Sequence, residues 1–497
     1  MRERPKQNEQ GTMVGPAPDP QVLVVGAGLT GLMLAGVLAR LGVSVRLVER
    51  DPSPHGQARA TMVQARTLEI FQRLGIVEGW LREGRPLSVV RSLSPEGREL
   101  RAERFEHLDT PYPFSISIQQ RITERLLAEH LEQQGGRVER GVELVALEQD
   151  AEAATAILHH DGQEETARFR YVVGADGAHS RVCDAIRVPV VGGDYASCFA
   201  IAEVDGIWPY PADETTYFAG PAGVCVGALF RDGRFLVLTD APHDPGSGPP
   251  GANDMQELVN ARVRTGIAIR TVHWSACFYL HCRLAQHFRR GRAFLAGDAA
   301  HVCSFFGGQG LNMGIHDAYN LGWKLALVVA GMAPDRLLDS YEAERRRVAQ
   351  SELAYTDAAH RALFARDAAW PPSALEHEAA FVGSTDTAAR RRLLAHAELD
   401  VSYRRSPIVT SHGSIAPGSA AAGDWLAQPS LAPDRHHLLA PRAMPVEDIV
   451  RRAHVPIAVH SHYDDTLVLV RPDGYIGFSS RPADRSALAD YLDRTFG

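Results

Sequence analysis

The sequence predicts a multidomain α/β fold, and three observations carry that expectation. A glycine-rich turn near the N-terminus joins a β-branched run to a helix-forming run. The middle of the chain changes to closely spaced β-rich segments, and a Gly/Ala/Pro-rich stretch, Ser411–Trp425, sets off the final part. At 497 residues there is room for roughly two to four domains of ~100–200 residues each.

Composition narrows the class. Apolar residues make up 45% and charged residues 23%, as in an ordinary globular chain. The net charge of -8 is spread along the chain with no Lys/Arg cluster, so nucleic acid is not expected as a partner. Cys183, Cys198, Cys225, Cys277, Cys282 and Cys303 form no C-x-x-C pair, which reads as reduced thiols in a cytoplasmic protein rather than a disulfide framework or zinc site. Residues 1–20 carry charge but no apolar core and read as a disordered tail without an export signal. Val22–Ala39 is uncharged over a length near that of a membrane span, yet Gly26, Gly28 and Gly31 interrupt it at turn spacing. No membrane segment is expected.

The elements follow in order. "QVLVVGAGLTGLMLAGVLARLGVSVRLVER" reads as a buried strand, a helix over Leu32–Leu41 stopped at Gly42, and a second strand. In this βαβ unit Gly26-x-Gly28-x-x-Gly31 is a dinucleotide fingerprint: one glycine for the turn, one for close approach of a pyrophosphate, one for helix–strand packing. Glu49, about 20 residues on, stands where a carboxylate accepts hydrogen bonds from a ribose diol. "QARTLEIFQRLGIVEGWLREG" reads as one amphipathic helix. "QQRITERLLAEHLEQQGGRVERGVELVALEQ" reads as a helix closed by Gly135-Gly136 and then a strand pair. "RYVVGADGAHSRVCDAI" is a strand ending at Asp176-Gly177, with Ser180 and Arg181 opening a helix. Short β-rich runs from Val188 to Leu280 suit an inserted antiparallel sheet that walls a pocket. "GRAFLAGDAAH" returns to the α/β pattern, a long helix starts at Leu311, and Asp335 to about Ala395 looks helical. The last segment reads as a hairpin around Pro472-Asp473-Gly474 and a helix, a small α/β domain.

Three separated motifs, "VVGAGLTGL" with Glu49-Arg50, "VVGADGAHSRV" and "FLAGDAAHVCSFFGGQGLNMGIHDAYNLGWKLA", resemble those of the class A flavoprotein monooxygenases, the aromatic hydroxylases related to p-hydroxybenzoate hydroxylase. "LVLVRPDGYIGF" is similar to the thioredoxin-like C-terminal domain of the phenol and polyketide hydroxylase branch. The resemblance implies a discontinuous Rossmann-like FAD-binding domain over 21–187 and 281–396, a substrate-binding β-sheet domain over 188–280 and a thioredoxin-like domain over 397–497. It implies FAD contacts from Gly26, Gly28, Thr30 and Gly31; Glu49 at the adenosine ribose; Arg50 and Arg59 near the adenine and pyrophosphate; Gln120 and Asp298 at the ribityl portion; and the backbone of Gly308, Gln309, Gly310, Leu311 and Asn312 at the flavin's pyrimidine end. Asp176 and Gly177 would serve FAD and a transient NADH or NADPH together. The implied reaction is hydroxylation of a small phenolic substrate, more in keeping with a polycyclic antibiotic-type polyketide than a simple phenol, by O2 through a flavin C4a-hydroperoxide. Baeyer-Villiger-type or rearranging oxygenation and a redox-neutral flavin-binding protein stand as alternatives. A monomer or homodimer is expected.

Other features read more plainly. His301 is expected to be structural and Cys303 a small buried residue, and both open the flavin-facing loop. "HSHYDD" at 460–465 reads as a solvated loop, and His436-His437 and His159-His160 as surface pairs; no metal site is expected. Trp208, Tyr217, Phe218, Trp274, Phe278 and Tyr279 are divided between core and pocket wall without assignment. One departure stands out: the resemblance places a proline where this chain has Phe305, followed by Phe306, so proline's fixed φ is absent at the wall facing the reacting oxygen.

Overall fold

The computed structural model describes residues 20–54, 56, 60–241, 248–264, 266–363, 386–413, 421, 423–426, 428, 430–462 and 464–497. Arg59 and all but the last residue of the expected 1–20 tail lie outside these residues.

A six-stranded sheet forms the centre. Val22–Val25 runs parallel between Tyr171–Gly174 and Val45–Glu49; Ala293–Leu295 and Val138–Arg140 add on either side, and Arg289–Arg290 is an antiparallel edge. Val22, Leu23, Val24, Val172 and Val173 are fully buried, each worth about 1.5–3 kcal/mol relative to exposure. The fingerprint helix Leu29–Arg40 packs on this sheet and against the long helix Gln309–Val329. Gly322 permits the close approach, since a Cβ there would lie 2.5 Å from Val37 Cγ1.

An eight-stranded sheet stands beside it. Two 18-residue strands, Val190–Ile207 and Ala268–Ala285, pair antiparallel through most of their length, where the sequence suggests short runs. The sheet also takes in Val89–Leu93 and Glu99–Arg104, and Glu214–Gly220 pairs parallel to Val89–Leu93. A helix, Ala252–Arg262, lies within this β-rich stretch.

Several expectations need correction. The single helix expected over 64–84 is two, Ala65–Leu74 and Val77–Glu83, because Gly75 takes a left-handed φ of 75° and turns the chain. Val138–Arg140 and Glu143–Gln149 are not a pair: the first joins the parallel sheet, and the second starts a separate meander with Ala154–His160 and Gln163–Phe169. The segment expected to be helical holds Asp339–Leu363 and Asp386–His396, with 364–385 outside the described residues.

The final segment forms a five-stranded sheet ordered Thr410–Gly413, Ile476–Arg481, Leu467–Val470, His436–Pro441 and Ile457–His462, with the helix Arg485–Phe496 against it. The hairpin at 472–474 is present. His460 and His462 lie on its edge strand rather than in a loop. His436 and His437 are buried, not surface residues. His436 is held edge-on between Trp323 of the long helix and Phe496, and His437 bonds to the Ala432 carbonyl and to His460. His159 and His160 are exposed.

Neither ring nitrogen of His436 makes a well-formed hydrogen bond, and burial followed by the Arg471 charge outweighs a weak favourable contact with the Pro456 backbone and pushes its pKa down to about 3. An unfolded histidine takes its proton near 6.5, so between these values the unfolded state binds more protons and stability falls as pH falls. His436→Leu is expected to keep or raise stability at neutral pH and to flatten this acid loss in urea unfolding; an unchanged pH slope would argue against a neutral His436 in the folded state.

Candidate active site

The three fingerprint glycines do different work. Gly26 has φ 98°, and a Cβ there would lie 2.4 Å from the Ala175 carbonyl oxygen; one on Gly31 would lie 1.9 Å from the Gly26 carbonyl oxygen. A Cβ on Gly28 would meet nothing within 4 Å. The helix behind Gly28 has no side-chain cap and no acidic residue in its first turn. Its free N–H groups and positive end therefore face open space suited to an anion.

Glu49 secures that loop. It is buried, and its carboxylate accepts from the backbone N–H of Ala27 at 2.8 Å and of Asp51 at 3.0 Å. Arg50 is exposed. The Gln120 carboxamide is oriented by the Ala60 N–H on one side and the Glu124 carboxylate on the other, at 3.1 and 2.9 Å. Asp176 turns into its own segment, accepting from Ser180 Oγ at 2.6 Å and Val182 N–H at 3.2 Å. Gly177, with φ 80°, reaches the site by its backbone.

Thr30 joins the remaining motifs. Its Oγ1 would be 2.4 Å from a Cβ on Gly297 and 2.3 Å from one on Gly314, so it wedges between the "GDAAH" turn and the long helix. Asp298 of that turn is exposed to two adjoining cavities of about 440 and 340 Å³. In the larger, the fingerprint loop and residues 307–311 form one side. The eight-stranded sheet forms the other, with Thr215, Tyr217, Leu236, Leu238 and Phe278 on the wall and Tyr279 at the rim. Phe218 and Trp208 belong to the core behind the wall, and Trp274 packs against another part of the core.

The loop before the long helix is tightly specified. Gly307 and Gly308 have φ 80° and 65°, and the Gly308 N–H donates to the Phe305 carbonyl at 3.0 Å. Asn312 accepts from Gln64 N–H at 2.9 Å and donates to the carbonyls of Met62 and Gly308 at 3.0 and 2.8 Å. The side chains of Asn312 and Gln309 are thus engaged with protein, Gln309 weakly with the carbonyls of Ala395 and His396, while the helix end itself carries no side-chain cap. Phe305 stacks on Phe306 and meets Phe199 edge-on, at 4.3 and 5.0 Å between ring centres. Its φ of -69° lies in proline's range, so the backbone shape survives the loss of proline. Burial, then the charge of Asp298, pushes the Cys303 thiol well above its ordinary pKa.

His301 is buried with Nε2 2.6 Å from Asp317. Asp317 also accepts from Gly297 N–H and from Arg345, at 3.0 and 2.6 Å. Burial raises its carboxyl, but the charges and hydrogen bonds of His301 and Arg345 outweigh it and hold the pKa down to about 2. Sequence reasoning missed Asp317, Arg345, Gln64 and His396. The signal available for Asp317 was a charged residue within the largely apolar helix Gln309–Val329.

The family described as "FAD binding domain" matches residues 19–356. A rifampicin monooxygenase of Rhodococcus hoagii is 37% identical, covering 68% of this chain and 70% of its own. A flavin-dependent monooxygenase of Mycobacteroides abscessus is 32% identical over 95% of this chain and 99% of its own. The chain belongs to the FAD-dependent aromatic monooxygenases. In structure, this monooxygenase is similar to an aklavinone-11 hydroxylase solved with FAD and aklavinone, at TM-score 0.77, 25% identity and coverage of 96% and 98% of the two chains. Its cofactor is FAD.

Asp317→Asn is expected to destabilise the monooxygenase by about 3 kcal/mol or more, because it leaves Arg345 buried without its counter-charge. The wild-type carboxylate ionises more readily folded than unfolded, so its contribution is full above about pH 4 and is lost as pH falls toward 2. Denaturant unfolding across that range should show an acid-dependent loss in wild type that the variant lacks.

Proposed function

We propose that the enzyme hydroxylates a phenolic ring of a polycyclic natural product, taking electrons from NADH or NADPH and oxygen from O2. The observation that carries this reading is the shape of the larger cavity: an uncapped helix end and bare glycine backbone on one side, an apolar sheet wall on the other. A planar, largely apolar ring system suits such a wall, and a cavity of this size is within the range of small-molecule sites. The names of relatives that act on rifampicin and on aklavinone support a large substrate.

The residues present fit FAD. Gly28 offers the gap a pyrophosphate needs, with Gly26, Thr30 and Gly31 shaping it and the helix N-terminus supplying N–H donors. Glu49 keeps lone pairs for a ribose diol after its two backbone contacts, and Arg50 and Arg59 are the cations that the family resemblance assigns to the adenine and pyrophosphate. Gln120 and Asp298 border the cavity as polar partners for the ribityl chain, and Asp176 props the turn that presents Gly177 to both FAD and nicotinamide. The backbone of Gly308, Gln309, Gly310, Leu311 and Asn312 points a positive helix end at the cavity, which stabilises an anionic ring edge there. When bound, FAD supplies electron transfer from the nicotinamide and activation of oxygen. The protein excludes water with Phe305, Phe306 and the sheet wall and holds the substrate ring in line.

A panel of polycyclic phenols should stimulate NAD(P)H oxidation with matching oxygen uptake and a product heavier by one oxygen; no stimulation by any member would overturn the reading. Gly28→Ala should leave the apoprotein's melting temperature nearly unchanged while weakening FAD retention at least tenfold by fluorescence titration. Phe305→Pro should retain FAD but change the ratio of product formed to NAD(P)H consumed; equal coupling in both proteins removes Phe305 from the oxygen-facing wall.

A further inference from the structure

We propose that Cys282 and Cys303 form an oxidisable thiol pair, whose disulfide fastens the Phe305 loop to the sheet wall of the cavity. The register of the strands carries this. Where Ala268–Ala285 meets His301–Val302, Leu284 faces His301 and Arg283 faces Val302, and the Ala285 N–H donates to the Ala300 carbonyl at 2.8 Å. Ala285 and Ala300 thus occupy a hydrogen-bonded position. The pairing ends at Arg283 and Val302; one residue further, the same alternation would set Cys282 across from Cys303 at a non-hydrogen-bonded position, where opposed Cα atoms stand about 4.5 Å apart. Disulfides bridge Cα separations of about 4.4–6.8 Å.

Directly opposed side chains share a face of the sheet. The surroundings agree: Cys282 senses Asp357 and bonds with the Tyr195 hydroxyl, Cys303 senses Glu352, Asp357 and Glu352 both lie on the helix Asp339–Leu363, and the Cys303 thiol senses Cys282. Cys198 and Cys277 also touch across neighbouring strands, but their register is offset, Cys198 facing Tyr279 and Cys277 facing Ala200.

Access is one-sided. Cys303 lines the larger cavity, while Cys282 is fully buried. Burial raises both thiols, Cys282 to about 12, so oxidants in bulk solution react slowly with them. The oxidant that reaches Cys303 at high local concentration is hydrogen peroxide released inside the cavity when NAD(P)H oxidation is not coupled to hydroxylation, a source that rests on the proposed function. Peroxide transfers one oxygen to the Cys303 thiol, giving a sulfenic acid and water. The Cys282 sulfur then attacks the Cys303 sulfur; the S–S bond forms, the S–O bond breaks, and the Cys282 proton leaves with the hydroxyl as a second water. Two thiols are oxidised as one peroxide is reduced.

The pair is tested first without turnover. FAD-loaded full chain is treated with diamide at mildly alkaline pH, quenched with N-ethylmaleimide in denaturant, and mapped by peptide mass. Free thiols are expected to fall from six to four, with one cross-linked peptide joining Cys282 to Cys303. Absence of that peptide, or a Cys198–Cys277 link in its place, overturns the pair. The peroxide route is tested in Cys282→Ser during turnover with NADPH, O2 and a phenol that is not hydroxylated. Dimedone should then label Cys303; an unlabelled Cys303 while peroxide accumulates in the medium overturns the route. If the FAD-loaded enzyme consumes no oxygen, the functional reading and the peroxide source fall together, whereas the diamide cross-link still decides the pair.

Discussion

Glu344 and Arg345, adjacent on one helix and both buried, impose the constraint around which the molecule is organised. Consecutive helical residues point about 100° apart, so two opposite charges cannot simply neutralise each other and each must find partners in a different direction. Arg345 reaches Asp317 and the Tyr403 hydroxyl, and through Asp317 it holds His301 and the Gly297 turn. Glu344 reaches Lys324 on the long helix and accepts a bidentate contact from Arg471 in the C-terminal sheet at 2.6 and 2.9 Å. Arg471 also pairs with Asp473, which accepts from the Trp323 indole. Removing any member leaves its partners charged and out of water, which costs more than the intact network contributes. The cavity floor and the C-terminal sheet are therefore parts of one electrostatic assembly.

That arrangement explains what could be read from the chain and what could not. The βαβ unit, the long helix, the 472–474 hairpin and the separate glycine roles follow from local patterns: β-branched runs, apolar periodicity and glycines where φ must be positive or space is short. The inserted sheet was visible as a change of pattern, but its partners at 89–104 lie about a hundred residues earlier, and parallel pairing leaves no mark in either segment. The break at Gly75 was missed because apolar periodicity continues on both sides of it.

Charged residues misled in the same way. Histidines and arginines are ordinarily exposed, so His436, His437 and Arg345 carry no local signal of burial. Their environment is made by side chains from other elements: Asp317 and Tyr403 around Arg345, Trp323 and Phe496 around His436, and His460 beside His437. The candidate site was read better through its backbone than its side chains: the glycine positions have the openness or crowding expected, whereas Asp176, Gln309 and Asn312 turn their side chains toward protein. Phe305 was read from the resemblance as a loss of proline's backbone restraint, yet its φ shows that the restraint is met by the surrounding packing.

The wedge of Thr30 between Gly297 and Gly314 places three distant stretches of sequence in one steric unit. Exchange of segments between related enzymes must respect it. A block carrying Thr30 cannot be replaced by one with a larger side chain while the two glycine positions stay, nor can either glycine gain a methyl group alone. The sheet that walls the cavity is free of this lock. A transplanted wall must bring its hydrogen-bonding neighbours, the strands at 89–104 and His301–Val302 included, while Thr30, Gly297 and Gly314 can remain as they are. The sheet wall and the Thr30 wedge are thereby separable in recombination, so one side of the cavity can change shape while the packing of the other is kept.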